Sequence, residues 1–573
     1  MLLRIPQSIA QQASSARRLH LGQPLLGWRD SYQQGFITPE LRDMKPTHII
    51  VGAGSAGCVL ANRLTEDPNN RVLLLEAGPK DHWWNWKIHM PAALMYNLCN
   101  DKYNWFYHTT PQKHMDDRVV YWPRGRVWGG SSSLNAMAYV RGHPLDYDRW
   151  EKEGAKNWSY KNCLPYFKKA QTHELGGDEY RGGSGPLHVL QGRCENPLHK
   201  AFMESGAQQG MGYTADMNGY RQEGTGPMDM TIRNGQRWSS SKAYLWPALQ
   251  RPNLHTSSGV TCTRVLFHGK KAIGIEFILV KRFTAKIRGV GPADHLKAHG
   301  ISVVQDTPGV GSNLQDHLEI YVQQKCTKPI TLYNQSSWKF PHNMVSIGLQ
   351  WFVNQTGLGA SSHLESGGFA RSNDQVEHPD IQFHFLPSTV HEDGREVGSC
   401  HAYQVHVGPM RSKSRGYLRL QHKDPRRHPI LNPNYLSHPD DITEFRKCIE
   451  VSRELFAQKA FDEFRGEELA PGADCQSDAD IDAFVRAKAA SAYHPSCTCK
   501  MGDSSDNMAV IDGETMGVHG LEGLKVVDAS VMPSIVSGNL NAPTIMLAEK
   551  AADIIAHKTP LSPENPPIWS HKQ

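Results

Sequence analysis

At 573 residues the chain is longer than one hydrophobic core can organise, so two or more structural units are expected. With 39% hydrophobic and 21% charged residues its composition is globular, and a formal charge of +5 without a long basic block argues against nucleic-acid binding as the main activity. No apolar run reaches membrane-span length, and scattered cysteines with one close pair (Cys497, Cys499) suit free thiols rather than disulfides or a metal site.

Residues 1–30 hold Arg4, Arg17, Arg18 and Arg29, several serines and no acid before Asp30, which is the composition of a mitochondrial transit peptide. Residues 48–78 (HIIVGAGSAGCVLANRLTEDPNNRVLLLEAG) then read as strand, glycine turn, helix and second strand. Gly52-Ala53-Gly54-Ser55-Ala56-Gly57 fits G-x-G-x-x-G directly after the first strand. Gly52 permits the tight turn, Gly54 lets the backbone approach a pyrophosphate, and Gly57 lets the helix pack close to the strand. The helix start at Ser55 and Ala56 offers free N–H groups and a positive dipole end to phosphates. Glu76, followed by Ala77 at the end of the second strand, suits the hydroxyls of an adenosine ribose and repels a 2′-phosphate. The pattern predicts dinucleotide binding and disfavours NADP. It does not separate FAD from NAD.

A tryptophan-rich stretch (Trp83, Trp84, Trp86, Trp105) leads to residues 121–137, YWPRGRVWGGSSSLNAM, whose glycines and serines require a loop. Gly129 and Gly130 allow close backbone approach, Ser131 and its neighbours offer donors to phosphate or flavin, and the flanking tryptophans favour a ligand-facing loop. Residues 160–219 are expected to be rich in loops. Further on, IQFHFL (381–386) and YQVHV (403–407) show the period-two alternation of a half-buried sheet.

In SAYHPSCTCKMG (491–502) the proline after His494 ends any helix and presents the imidazole from a loop. Imidazole is a natural base for an alcohol proton near neutral pH, although a single histidine among 29 carries little weight alone. LKVVD (524–528) reads as a strand ending on Asp528, whose plainer role is a turn cap. PSIVSGNLNA (533–542) is a loop, a helix follows from Pro543 to Ile555, and the tail after Pro560 reads as unstructured.

The fingerprint, the loop GRVWGGSSSLN (125–135), GVGSNLQDH (309–317) and the C-terminal block 491–553 together resemble the glucose–methanol–choline (GMC) flavoprotein oxidoreductases. The resemblance covers nearly the whole chain from His48. It implies an α/β fold (α+β overall): a discontinuous, Rossmann-like FAD-binding domain (47–159, 220–322, 501–558) with a substrate-binding domain on an antiparallel sheet (323–500), joined by the 160–219 segment. A tail follows at 559–573. It implies His494 as the proton acceptor and Asn539 as its partner, with Asn541 bordering the flavin. Arg126, Asn135, Ala136, Val260, Asp528 and Ala529 are carried over as cofactor contacts. The wording YWPRGRVWGGSSSLNAMAYVRG and SAYHPSCTCKMG is most similar to choline-oxidising members, which implies choline as substrate and betaine aldehyde as product. It further implies a respiratory-chain electron acceptor, a quinone among the candidates, and peripheral association with the matrix side of the mitochondrial inner membrane. Glu365, in HLESGGF (363–369), resembles a carboxylate that contacts the quaternary ammonium; a solvated loop acid is the alternative.

Two departures follow. Some members tether FAD through a histidine where this chain has Leu134, so non-covalent FAD is expected. The family's second signature also follows a strand like AIGIEF (272–277) with another strand and an S-P turn, whereas here eleven residues (278–288) end on the arginine that opens RGVG (288–291). The segment is one strand short, which reads as a splice variant, a gene-model error or a deletion. Removing a strand beside the nucleotide would leave backbone groups unpaired. Alternative readings are therefore a GMC enzyme acting on another primary alcohol, or a catalytically impaired isoform.

Overall fold

The computed structural model describes residues 44–98, 100–278, 288–335, 342–391 and 396–571. The transit-peptide expectation for 1–30, and residues 279–287 of the shortened segment, lie outside the described residues. The expected first unit is present. β1 (His48–Val51), α1 (Ser55–Leu64) and β2 (Val72–Glu76) form a parallel βαβ unit, with Ile50 opposite Leu74. All five residues of β2 are buried, as a strand covered on both faces requires. Gly57 must be glycine, since a Cβ there would sit 2.0 Å from the Gly52 carbonyl oxygen.

Other strands complete two sheets. β3 (Gly224–Pro227) belongs to the second, and β4 (Leu254–Ser258) lies parallel to β2, giving the order β1-β2-β4. β5 (Thr261–His268) and β6 (Lys271–Ile278) make a separate antiparallel hairpin, and among the described residues β7 (Arg288–Gly291) pairs only with β8 (Ser302–Asp306). The second sheet is antiparallel and seven-stranded. It is built on β9 (Leu318–Cys326), and past α2 (Asn343–Asn354) it takes in β10 (Ser366–Ala370), β11 (Ile381–Leu386) and β12 (Ala402–Pro409). α3 (Pro439–Ala457) covers one face, β13 (Arg465–Ala470) closes the edge in the order β13-β9-β12-β11-β10-β3, and β14 (Ala490–Ser491) also pairs with β9. The alternation is strict enough that Ile320 and Val322 of β9 lie in the core with Phe383, Phe385, Val405 and Val407, packed against Phe445, Ile449 and Phe456 of α3. α4 (Asn541–Ile555) returns to the nucleotide unit. Its buried Glu549 takes a bidentate ion pair from Arg63 of α1 (2.8 Å to each oxygen) and the Tyr244 hydroxyl.

Four expectations change. The 160–219 segment carries two helices, Tyr160–Ala170 and Pro197–Gln208; the apolar spacing of Cys163, Leu164, Tyr166 and Phe167 buries one face despite Pro165. The tail has no regular structure but is held down: the Glu564 N–H donates to the Lys161 carbonyl, its carboxylate pairs with Lys168, and Arg221 stacks over Trp569 at 4.4 Å. The helix expected from Pro543 begins two residues earlier. Residues 524–527 do not form a ladder strand, and among the described residues their one bridge joins Lys525 to Gly517.

The physical reason for that last change is the absence of a neighbour. Residues 524–527 and β1 line the same cavity, and among the described residues β1 pairs with β2 alone. Among the described residues the outer edge of β1 is therefore open, and Val51 is 57% exposed although it continues a buried sheet.

Candidate active site

One cavity of about 1540 Å³ runs from the β1–α1 turn to the antiparallel sheet. This exceeds the roughly 300–1,000 Å³ of a drug-sized pocket, so it can take a dinucleotide and a small substrate together. At one end lie Gly52, Gly54, Ser55, Ala56 and Gly57, with Gly130 and Ser131 of the glycine–serine loop. The loop is pressed against the turn: Gly129 N–H donates to the Ala53 carbonyl (2.7 Å), and a Cβ on Gly130 would fall 2.7 Å from Gly54 Cα. Asn135, Ala136, Asp528, Ala529 and Asn541 also line the cavity. Asn541 Oδ1 accepts the Ser55 hydroxyl (2.8 Å), tying together the N-termini of α1 and α4, and Asp528 caps the following turn through Ser530 N–H (2.8 Å). This clustering of helix starts and glycine backbone fits a pyrophosphate.

Five expected cofactor residues do not line the cavity. Glu76 is buried and accepts the N–H groups of Ala53 and Gly78, both at 2.8 Å; burial raises its pKa. Val260 N–H donates to the Glu76 carbonyl. Ala77 joins Glu76 to Gly78, Gly129 stands behind Gly130, and Arg126 turns to the Asp101 carbonyl (2.7 Å).

At the other end His494 meets Asn539, whose Nδ2 donates to His494 Nε2 at 3.3 Å. The loop carrying His494 is fixed by the buried Asp316, which accepts the His494 backbone N–H (2.7 Å), the Ser491 hydroxyl (2.6 Å) and the Tyr435 hydroxyl. Burial pushes the Asp316 carboxyl up to about 6. Arg124 holds the Tyr493 carbonyl.

The hydrogen bonds fix the tautomer of His494. His317 Nε2 lies 3.1 Å from the Met410 carbonyl, which only accepts, so His317 donates there and its Nδ1 bears the lone pair. His494 Nδ1, 3.1 Å from that nitrogen, must then donate, which leaves the lone pair on Nε2. Asn539 reaches the same answer independently. Its Oδ1 accepts Gln382 Nε2 (3.0 Å), which turns the amide nitrogen toward His494. Burial, with His317, His384 and Arg124 adding, holds His494 well below the ordinary imidazole value, and burial brings His317 down to about 4. The pair is neutral at pH 7.

Glu365 is not where the resemblance puts it. Its carboxylate accepts the Cys194 N–H (2.8 Å) and lies 4.0 Å from His199 on the Pro197–Gln208 helix, and the residue does not line the cavity. The cavity carboxylate on the antiparallel sheet is Glu319, which pairs with His406 Nδ1 at 3.0 Å; burial raises its pKa, but His406 outweighs this and holds it below the usual range. Sequence reasoning missed Glu319, Tyr321, His384 and His406. The signal was the alternation that sends Ile320 and Val322 into the core and so turns Glu319 and Tyr321 to the other face. Register then aligns Tyr321, His406 and His384 across three strands.

A glycine-lined dinucleotide cleft ending on a neutral histidine–asparagine pair defines a dinucleotide-dependent oxidoreductase. Two GMC oxidoreductase family models match residues 47–289 and 412–548, and the chain belongs to the GMC oxidoreductase family. It is 58% identical over 548 residues to mitochondrial choline dehydrogenase of Mus musculus, covering 91% of both chains. It is 50% identical over 545 residues to an oxygen-dependent choline dehydrogenase of Burkholderia cenocepacia, covering 91% of this chain and 95% of that one. Among solved structures it resembles pyridoxine 4-oxidase from Mesorbium loti, with TM-score 0.79, 30% identity and coverage of 90% and 100%.

Proposed function

We propose that the chain oxidises choline to betaine aldehyde with FAD and passes the electrons to a respiratory quinone. FAD, when bound, supplies the hydride-accepting centre. The start of α1 at Ser55 and Ala56, together with Ser131, would offer backbone N–H groups to its phosphates, Gly130 (whose own N–H is held by the Val127 carbonyl) would allow the close approach, and Asn135, Ala136, Asp528, Ala529 and Asn541 would border it. Leu134 lines the same wall and has no nucleophilic atom, so the cofactor is held without a covalent bond.

Choline gives its hydroxyl proton to His494 Nε2. The Asn539 amide, which without substrate donates to that same Nε2 at 3.3 Å, yields the lone pair to the incoming hydroxyl and donates instead to the alcohol oxygen, steadying the charge that develops there. His317 keeps the His494 lone pair on Nε2, and Asp316 fixes the loop that aims it. Glu319, with the Tyr321 ring on the same face of β9, attracts the trimethylammonium group, which offers no hydrogen-bond donor. The observation that carries this reading is the Nε2 lone pair fixed from two sides.

The test is anaerobic titration of the purified chain while its visible spectrum is followed. Choline should bleach the flavin bands at far lower concentration than its neutral isostere 3,3-dimethylbutan-1-ol or benzyl alcohol. Equal responses, or bleaching by another alcohol alone, would overturn the substrate assignment. The open edge of β1 favours a second reading, an isoform that retains FAD poorly, and a colourless purified chain would support it. The Arg-rich N-terminus and the mitochondrial relatives support a place at the matrix side of the inner membrane.

A further inference from the structure

α2 is a helix of twelve residues, NMVSIGLQWFVN, without one charged side chain. Its inner face is ordinary core: Met344, Ile347 and Trp351 pack against Met90, Ala92 and Ala93. Its outer face carries Val345, Leu349, Phe352 and Val353 at i, i+4, i+7 and i+8, all exposed, Val353 by 69%. The stripe continues onto a second element. The Trp86 ring meets Phe352 (centroids 6.3 Å apart), and just before it Trp83 and Trp84 project outward, Trp83 being 76% exposed. Scattered exposed apolar residues need no explanation, but six on adjoining surfaces do.

The rim is cationic. His82 stacks on Trp84 at 4.3 Å, and partial burial, with Lys80 and Lys102 adding, disfavours its protonation. Lys87 Nζ sits over the Trp86 and Tyr96 rings at 5.9 and 5.6 Å. Uncharged aliphatic side chains, projecting tryptophans and flanking lysines are the composition of a surface that settles into the headgroup boundary of an anionic bilayer. The position matters as well. Ala92 packs on α2, and with Leu94, Met95 and Leu98 it lines the central cavity, so one short segment separates this face from the site.

We propose that Trp83, Trp84 and the outer face of α2 form a docking surface that seats the protein on an anionic lipid bilayer, with the cavity wall at residues 92–98 turned toward it. The proposal rests on the reading that electrons leave to a membrane-dissolved acceptor, and it specifies the face through which that acceptor arrives.

The test uses the full-length, FAD-loaded chain and vesicles of phosphatidylcholine with or without cardiolipin. Sedimentation should show binding to cardiolipin vesicles that falls at least tenfold in a double variant carrying Leu349→Glu and Phe352→Glu, and several-fold in Lys80→Gln with Lys87→Gln. Flavin bleaching by choline in solution should stay unchanged in both, which shows that they fold. Unchanged vesicle binding in the double variant would overturn the proposal, as would a concentration-dependent dimer in light scattering that those substitutions abolish. Reoxidation of the flavin by a soluble short-chain quinone is read separately. If it fails while vesicle binding through this face persists, the acceptor reading falls and the docking surface stands.

Discussion

The two sheets of this protein are finished to different degrees. The antiparallel sheet behind His494 and Asn539 has its interior strands β9, β12, β11 and β10 paired on both sides, and its Glu319 carboxylate is paired with His406. The parallel sheet under the dinucleotide fingerprint stops at β1, whose outer edge has no ladder partner among the described residues. Reaction chemistry and cofactor grip are thus built on separate frames, and a defect in one does not erase the other. What bridges them is a small set of contacts, among them the Ser55–Asn541 hydrogen bond and the Gly129–Ala53 bond.

The largest effect that would sharpen this contrast is at the base. His494→Gln should slow flavin reduction by roughly 10²–10⁴-fold, the usual contribution of a general base, while the flavin content of the purified protein stays the same. Loss of flavin along with rate would show that the two frames are coupled. Glu319→Gln should come next, raising KM for choline by about tenfold, as removing one close charge from an ammonium site does, with little change for 3,3-dimethylbutan-1-ol. If Glu365→Gln has that effect instead, the cavity assignment is wrong.

The smallest effect is on pH dependence. His494 must be neutral to accept a proton, and its folded-state pKa lies below the ordinary value near 6.5. The acid limb of kcat/KM for choline should therefore fall below pH 6.5, with activity flat from pH 7 down through that value. A limb centred above 6.5 would mean that burial does not control this imidazole.

Much of the molecule was legible in the sequence because its signals are local. His48–Val51 and Ile381–Leu386 have the strand bounds that their apolar patterns predict, and G-x-G-x-x-G places Gly57 where only glycine fits. His494 and Asn539, 45 residues apart, do meet, as the resemblance implies. The failures are non-local. Residues 524–527 have strand composition, but a strand needs a neighbour. Glu365 and Glu319 are both acids near apolar runs, and only the register of β9 and the Cys194 N–H decide which one faces the cavity. The tail looks disordered by composition because the groups that hold it, Lys161, Lys168 and Arg221, lie hundreds of residues away.

The measurement that tests the contrast most directly is native-state amide hydrogen exchange on the FAD-loaded chain, read strand by strand. The account predicts fast exchange for the outward amides of β1 and for the β7–β8 pair, slow exchange for β11 and β12, and a flavin that choline still bleaches. Protection of β1 equal to that of β11 would contradict it, because the edge would then be covered and the nucleotide sheet complete.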